Sequence, residues 1–251
     1  MTIQRQQLSF QRPPPVVLRL IIANALIWFI FSVLINSLES RGARDAYLWL
    51  MFDPSAAIFD GRVWQLFTYG FLHDLDGLAH ILFNCMALYF LGTPLAQRWG
   101  GRSFLKFFLL SVLGAGIVTQ LLSFLPFFDN PVVGASGAIF ALLTAFSMLF
   151  PTAELLIFFV LPVKARNVIW IAIAIDIVLF VALPRYDVAI HTHMGGALTG
   201  WLLVTGNWHP ARAARRFKAW LDRRRGPPPG SSGRGGPQLR TIQGGRDRYL
   251  N

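Results

Sequence analysis

The chain has one cysteine, Cys85, in 251 residues, so no intramolecular disulfide can form and a covalently stapled secreted scaffold is excluded. Charge is also scarce, at 14% Asp, Glu, Lys and Arg against 54% hydrophobic residues, with a mean hydropathy of +0.50. Soluble domains carry about 25% charged residues. That shortage rules out an ordinary soluble fold and a disordered one, and it places the chain among membrane proteins. No internal repeat is visible, which argues against a transporter built from duplicated halves.

Acids are the scarcer charged class, with 12 Asp and Glu against 23 Lys and Arg, leaving a net charge of +11. A nucleic-acid binder could carry such a charge, but 11 of the 23 cations fall in residues 209–251 beside only two acids. Basic residues flanking apolar segments set membrane orientation and attract anionic lipid, so a lipid bilayer is the expected partner and nucleic acid is not.

Six apolar segments are expected to form spans, near residues 20–38, 77–97, 107–128, 134–150, 167–183 and 188–208, because a crossing helix needs about 20 apolar residues. Only the fifth holds a formal charge, Asp176. The first is expected to be a retained helix, its apolar run being longer than a signal core. Cations concentrate at the start, after span two, after span four and in the tail. By the positive-inside rule both termini are then cytoplasmic in a multi-pass cell (inner) membrane protein, with Arg41, Arg44 and Arg62 as opposing residues. The expected organisation is an N-terminal tail at 1–15, a membrane domain at 16–208, a basic amphipathic interfacial segment at 209–225 and a disordered basic tail at 226–251. The loop at 39–76 is apolar enough to lie partly in the outer leaflet, which requires short helices or turns to satisfy its backbone.

The fourth span is the most informative. Pro131, Gly134 and Gly137 crowd its start and Pro151 ends it, so a helix from about Ser136 to Phe150 reaches only about 22 Å and must begin within the membrane. Irregular backbone at that depth has to be buried in protein or line a wet cavity. Ser136 at the helix mouth is placed either as a nucleophile favoured by free N–H groups or as an N-cap. His193 on span six precedes Gly196 and Gly200, and their small face matches that of Gly137, Ala141 and Ala145; close packing of the two would bring His193 to Ser136, although ordinary glycine-mediated packing gives the same pattern. His80 and Asn84 share a face of span two, either as oxyanion donors or as interhelical hydrogen-bonding groups.

Taken in order, His80-Ile-Leu-Phe-Asn84, Gly134-Ala-Ser136-Gly137 and His193-Met-Gly-Gly196-Ala-Leu-Thr-Gly200 resemble the rhomboid family of intramembrane serine proteases over roughly residues 16–208. The resemblance implies an all-α polytopic membrane protein, a six-transmembrane-helix bundle with a short, deep-starting fourth helix. It implies a serine endopeptidase that cleaves transmembrane protein substrates with Ser136 as nucleophile and His193 as base, a dyad with no required aspartate. The oxyanion hole would comprise the Ser136 N–H, His80 and Asn84, with Gly134, Gly137, Gly196 and Gly200 supporting the packing, and neither cofactor nor metal is called for. Departures from common family patterns are Gln65 after Trp64, Ala96 near the end of span two, Asp74 and Asp76 lengthening the stretch between His73 and His80, and Phe140 four residues after the serine.

Three other readings compete with this one. Asp176 could complete a Ser-Asp-His set, but the nucleophile elbow Gly-x-Ser-x-Gly is missing, so it reads first as a buried polar anchor or gate residue. Metal binding by His73, His80, His191 and His193 is disfavoured because His191 and His193 point to different sides of a helix. A catalytically silent relative that binds membrane clients is the non-enzyme alternative.

Overall fold

The computed structural model describes residues 12–125, 128–157, 160–182, 189–206, 218, 220 and 221. The expectations for the N-terminal tail and for residues 209–251 therefore lie almost wholly outside the described residues; Lys218, Trp220 and Leu221 are helical.

Helix α1 (Pro15–Ser32) starts on a proline, whose missing N–H costs nothing at the first helical position. It runs on into a single π-type turn, Val33–Ser37. The loop that follows is built from short helices: α2 (Arg41–Leu50), capped by the Ser40 hydroxyl; α3 (Pro54–Phe59), capped by the Asp53 carboxylate; and α4 (Gln65–Thr68), which ends in a 3-10 turn at Tyr69–Phe71. Several backbone N–H groups of this loop find acceptors nearby, Ser40 on Leu34, Met51 on Tyr47, Gln65 on Arg62 and Leu72 on Tyr69.

Helices α5 (Leu78–Trp99) and α6 (Gly101–Leu122) are separated only by Gly100, whose φ of +78° lets the chain reverse where other residues would be strained. Helix α6 starts six residues before the expected span, taking in Arg102 and Lys106, because nothing in Gly101–Lys106 breaks a helix. Helix α7 (Ser136–Leu149) is followed by an antiparallel hairpin that the sequence reading did not anticipate, β1 (Glu154–Ile157) with β2 (Leu161–Lys164). Helices α8 (Ala165–Ala182) and α9 (Ile190–Thr205) complete the bundle, and α9 stops at Gly206 in the left-handed conformation that commonly closes helices.

Four of these segments are long and apolar enough to cross a membrane: Pro15–Ser37, Leu78–Trp99, Gly101–Leu122 and Ala165–Ala182. Their outer faces expose large apolar side chains such as Leu26, Phe29, Trp170 and Val181, as expected where the solvent is lipid rather than water. Helix α7 has 14 residues and α9 has 16.

Helix α7 forms the centre, with buried residues from Gly137 through Ser147 on nearly every side. Its small residues allow that position. A methyl group at Gly196 would overlap the Gly137 carbonyl oxygen, and one at Gly200 would lie 2.6 Å from the Ala141 carbonyl oxygen, so α7 and α9 touch backbone to backbone. Helix α6 closes the third side, where a methyl group at Gly137 would lie 2.8 Å from Ala115 Cβ and the hydroxyls of Thr119 and Thr192 are 2.8 Å apart. At the opposite end from Ser136, the Ser147 hydroxyl donates to the Ala165 carbonyl at 2.7 Å and ties α7 to α8.

Candidate active site

The approach to α7 is irregular, and its backbone is satisfied by the loop that precedes α5. Phe52 and Val132 exchange both backbone hydrogen bonds, at 3.2 and 2.8 Å, and the Gly134 N–H donates to the Tyr69 carbonyl at 3.0 Å. Gly134 has a φ of +122°, a conformation that other residues rarely adopt. The chain thereby turns into α7 so that Ser136 is its first residue.

Ala135, not Ser136, holds the capping position, and no side chain caps the helix. The Ser136 hydroxyl is therefore free of the structural role the sequence left open. It lies 2.8 Å from His193 Nε2. The imidazole is held from two further directions: the Phe140 ring stacks on it with centroids 4.3 Å apart and an interplanar angle of 9°, and Asp176 Oδ2 lies 2.6 Å from its Nδ1. Phe140 stands one turn after Ser136 on α7, so one helix supplies both the hydroxyl and the surface on which its partner rests.

His80, two residues into α5, brings its imidazole over Gly134. A methyl group built there would lie 2.7 Å from His80 Nε2 and 3.7 Å from Ser136 Oγ, so the ring edge and the hydroxyl border the same space. On its other side the Asp74 N–H donates to His80 Nδ1 at 3.5 Å, the outer limit for such a bond. That arrangement leaves the proton on Nε2, facing the serine. The inserted residues of this loop form a local turn, with the Asp76 N–H donating to Asp74 Oδ1 at 3.0 Å.

Asn84 is buried one turn after His80, and its amide donates to the His80 carbonyl at 2.8 Å. The second hydrogen of the same NH2 group remains for another acceptor.

His73 is fully buried against His80, with ring centroids 5.1 Å apart. Burial, with a smaller contribution from the neighbouring ring and some opposition from the Phe71 carbonyl, pushes its pKa down to about 3, so it is neutral at pH 7. Tyr47 donates to the His73 carbonyl at 2.9 Å and fixes the segment from above. His191 points elsewhere, against Phe128, and among the described residues no three candidate metal ligands converge. Gln65 is fully buried; its carbonyl accepts from the Asp53 N–H at 3.2 Å and its amide donates to the Trp49 carbonyl at 3.1 Å.

The structure thus brings Ser136, His193, His80 and Gly134 into one site, with Asn84 a turn below. Phe140, a ring four residues after the serine that the sequence allows to pack on the imidazole, does so, and Asp176 is added as a direct neighbour of that ring. The sequence held a hint for Asp176, the one formal charge inside an apolar span. Nothing local revealed its partner, because 17 positions and an intervening connection separate it from His193.

Chemically, a serine hydroxyl on an imidazole nitrogen, at a helix start whose first N–H groups lack intrahelical acceptors, is suited to nucleophilic attack on a carbonyl. The chain is also similar to known proteins. The Rhomboid domain profile matches residues 60–209. Rhomboid protease GluP of Bacillus subtilis (strain 168) is 36% identical over 144 residues, 54% of this chain and 25% of that protein. Putative rhomboid protease YdcA of the same organism is 33% identical over 137 residues, 53% of this chain and 62% of that protein. RHOMBOID-like protein 12, mitochondrial, of Arabidopsis thaliana is 30% identical over 197 residues, 72% of this chain and 55% of that protein. The chain spans between a quarter and about three-fifths of the length of these relatives. With the profile covering more than half of its residues, the chain belongs to the rhomboid family.

Proposed function

We propose that this protein is an intramembrane serine endopeptidase that cuts transmembrane helices of other membrane proteins. The observation that carries the reading is the 2.8 Å approach of Ser136 Oγ to His193 Nε2 between two helices whose glycine faces touch. The Ser136 hydroxyl donates to Nε2, attacks the scissile carbonyl carbon and passes its proton to the imidazole. The resulting oxyanion accepts hydrogen bonds from the Ser136 N–H, from His80 Nε2–H and from the amide of Asn84. His193 then gives its proton to the departing amine, leaving an acyl-enzyme. Water, deprotonated by the same nitrogen, completes hydrolysis.

In this reading six segments cross the membrane, with α7 and α9 as the fourth and sixth. Helix α7, at about 21 Å, begins within the bilayer beneath the loop that covers Gly134. Both termini face the cytoplasm, and the chain resides in the cell (inner) membrane as a multi-pass protein.

The test is cleavage of a reporter transmembrane helix by purified protein in liposomes. Ser136→Ala and His193→Ala are each expected to reduce turnover to background. Cleavage at the wild-type rate by either variant would refute the reading. Background turnover by the wild-type protein on every helix offered, with clients still bound, would leave a silent client-binding member of the family.

A further inference from the structure

We propose that Asp176 is a positioning residue for His193 and that this protein operates a Ser-His-Asp triad; the inference rests on the protease reading above. Asp176 is the only formally charged residue between Asn167 and Ala182, in a helix whose neighbouring side chains Ile175, Ile177 and Val178 are exposed on the outer, apolar surface. Asp176 itself is buried, at 8% exposure, and Oδ2 lies 2.6 Å from His193 Nδ1. A carboxylate at this depth in an apolar helix is costly unless it is paired, so its retention here calls for a partner, and the imidazole is that partner.

The consequences follow from the two ring nitrogens. With Nδ1–H donating to Asp176, the lone pair of neutral His193 is on Nε2, where it can accept from the Ser136 hydroxyl. The reverse tautomer would present Nε2–H to the serine and could not take its proton. The carboxylate also faces the imidazolium that forms at the moment of attack, in a setting with little water to screen the pair. Phe140 fixes the plane of the ring and Asp176 fixes its rotation within that plane. The direct neighbours of the His193 ring are Ser136, Phe140 and Asp176. Asp176 is thus the one carboxylate at hand among the described residues.

Two measurements test this on the full-length protein in detergent or liposomes. Nitrogen-15 NMR of labelled histidine, assigned with His193→Gln, is expected to show His193 as the Nδ1–H tautomer in the wild type and to show loss of that signature in Asp176→Ala. Reporter cleavage by Asp176→Asn and Asp176→Ala is expected to show kcat at least about 10-fold lower with KM within about 2-fold, and Asp176→Glu is expected to recover part of the loss. A purely structural aspartate would alter folding and yield without moving the tautomer or splitting kcat from KM. An Nε2–H tautomer in the wild type overturns the proposal, and so does wild-type kcat in Asp176→Ala. Wild-type cleavage no better than that of Ser136→Ala would instead overturn the protease reading, and the triad would fall with it.

Discussion

At the residue scale, His80 and Asn84 differ in how they are held. His80 meets the Asp74 N–H at 3.5 Å on one side and the space above Gly134 on the other, so its Nε2 faces the serine. The Asn84 amide, in contrast, spends one hydrogen on the His80 carbonyl, and only the other is available to an oxyanion. If both donate, Asn84→Ala is expected to lower kcat by about 10- to 1000-fold, in the range seen when a single donor is removed. Measuring kcat on the reporter helix against the wild type decides this, and an unchanged value removes Asn84 from the mechanism. Ser136 and His193 were legible in the sequence because each sits beside glycines that permit close approach. Asp176 was legible only as an oddity, since a charge in an apolar span announces that it needs a partner and does not say which.

At the scale of elements, the contact of α7 with α9 sets the distance between hydroxyl and imidazole. The glycines act by leaving space. A methyl group at Gly200 meets the Ala141 backbone at 2.6 Å, and backbone cannot move aside as a flexible side chain can. Gly200→Ala is therefore expected to lower the thermal midpoint by several degrees and cleavage by about 10-fold or more, given the usual cost of overpacking of about 1–3 kcal/mol. Gly42→Ala is the matched control. Gly42 lies inside α2 with nothing within 4 Å of an added methyl group, so activity should persist and stability should rise slightly, by about 0.5–1 kcal/mol. Equal losses in the two variants would show that close packing is not the cause. The hairpin β1–β2 has a physical reason for being hidden in the sequence: Glu154–Lys164, between the fourth and fifth spans, carries no polar alternation to mark a strand.

At the scale of the whole molecule, the loop between α1 and α5 serves as a roof. It pairs with Val132 and Gly134, supplies Asp74 to His80 and is pinned by Gln65, so that the irregular entry to α7 finds backbone partners in Phe52 and Tyr69. If both termini are cytoplasmic, the roof is external and the α5–α6 junction is internal. In a Cys85→Ser background, an impermeant thiol reagent applied outside intact cells is expected to label Ala46→Cys and to leave Ser103→Cys unlabelled until the membrane is opened. Both positions are exposed, and neither substitution alters the charge used to infer the orientation. The reverse pattern would invert the topology.

The sequence by itself determined that this chain carries membrane-spanning helices, that the helix at Ser136 starts beside Gly134 and is short, and which serine and histidine to suspect, because hydropathy and helix breaking act over a few neighbouring residues. It could not determine the rotation of α8 against α9 or the pairing of Phe52 with Val132. Those depend on how side chains distant in the chain fill shared space, and only the packed bundle decides which of the permitted neighbours a buried polar group meets.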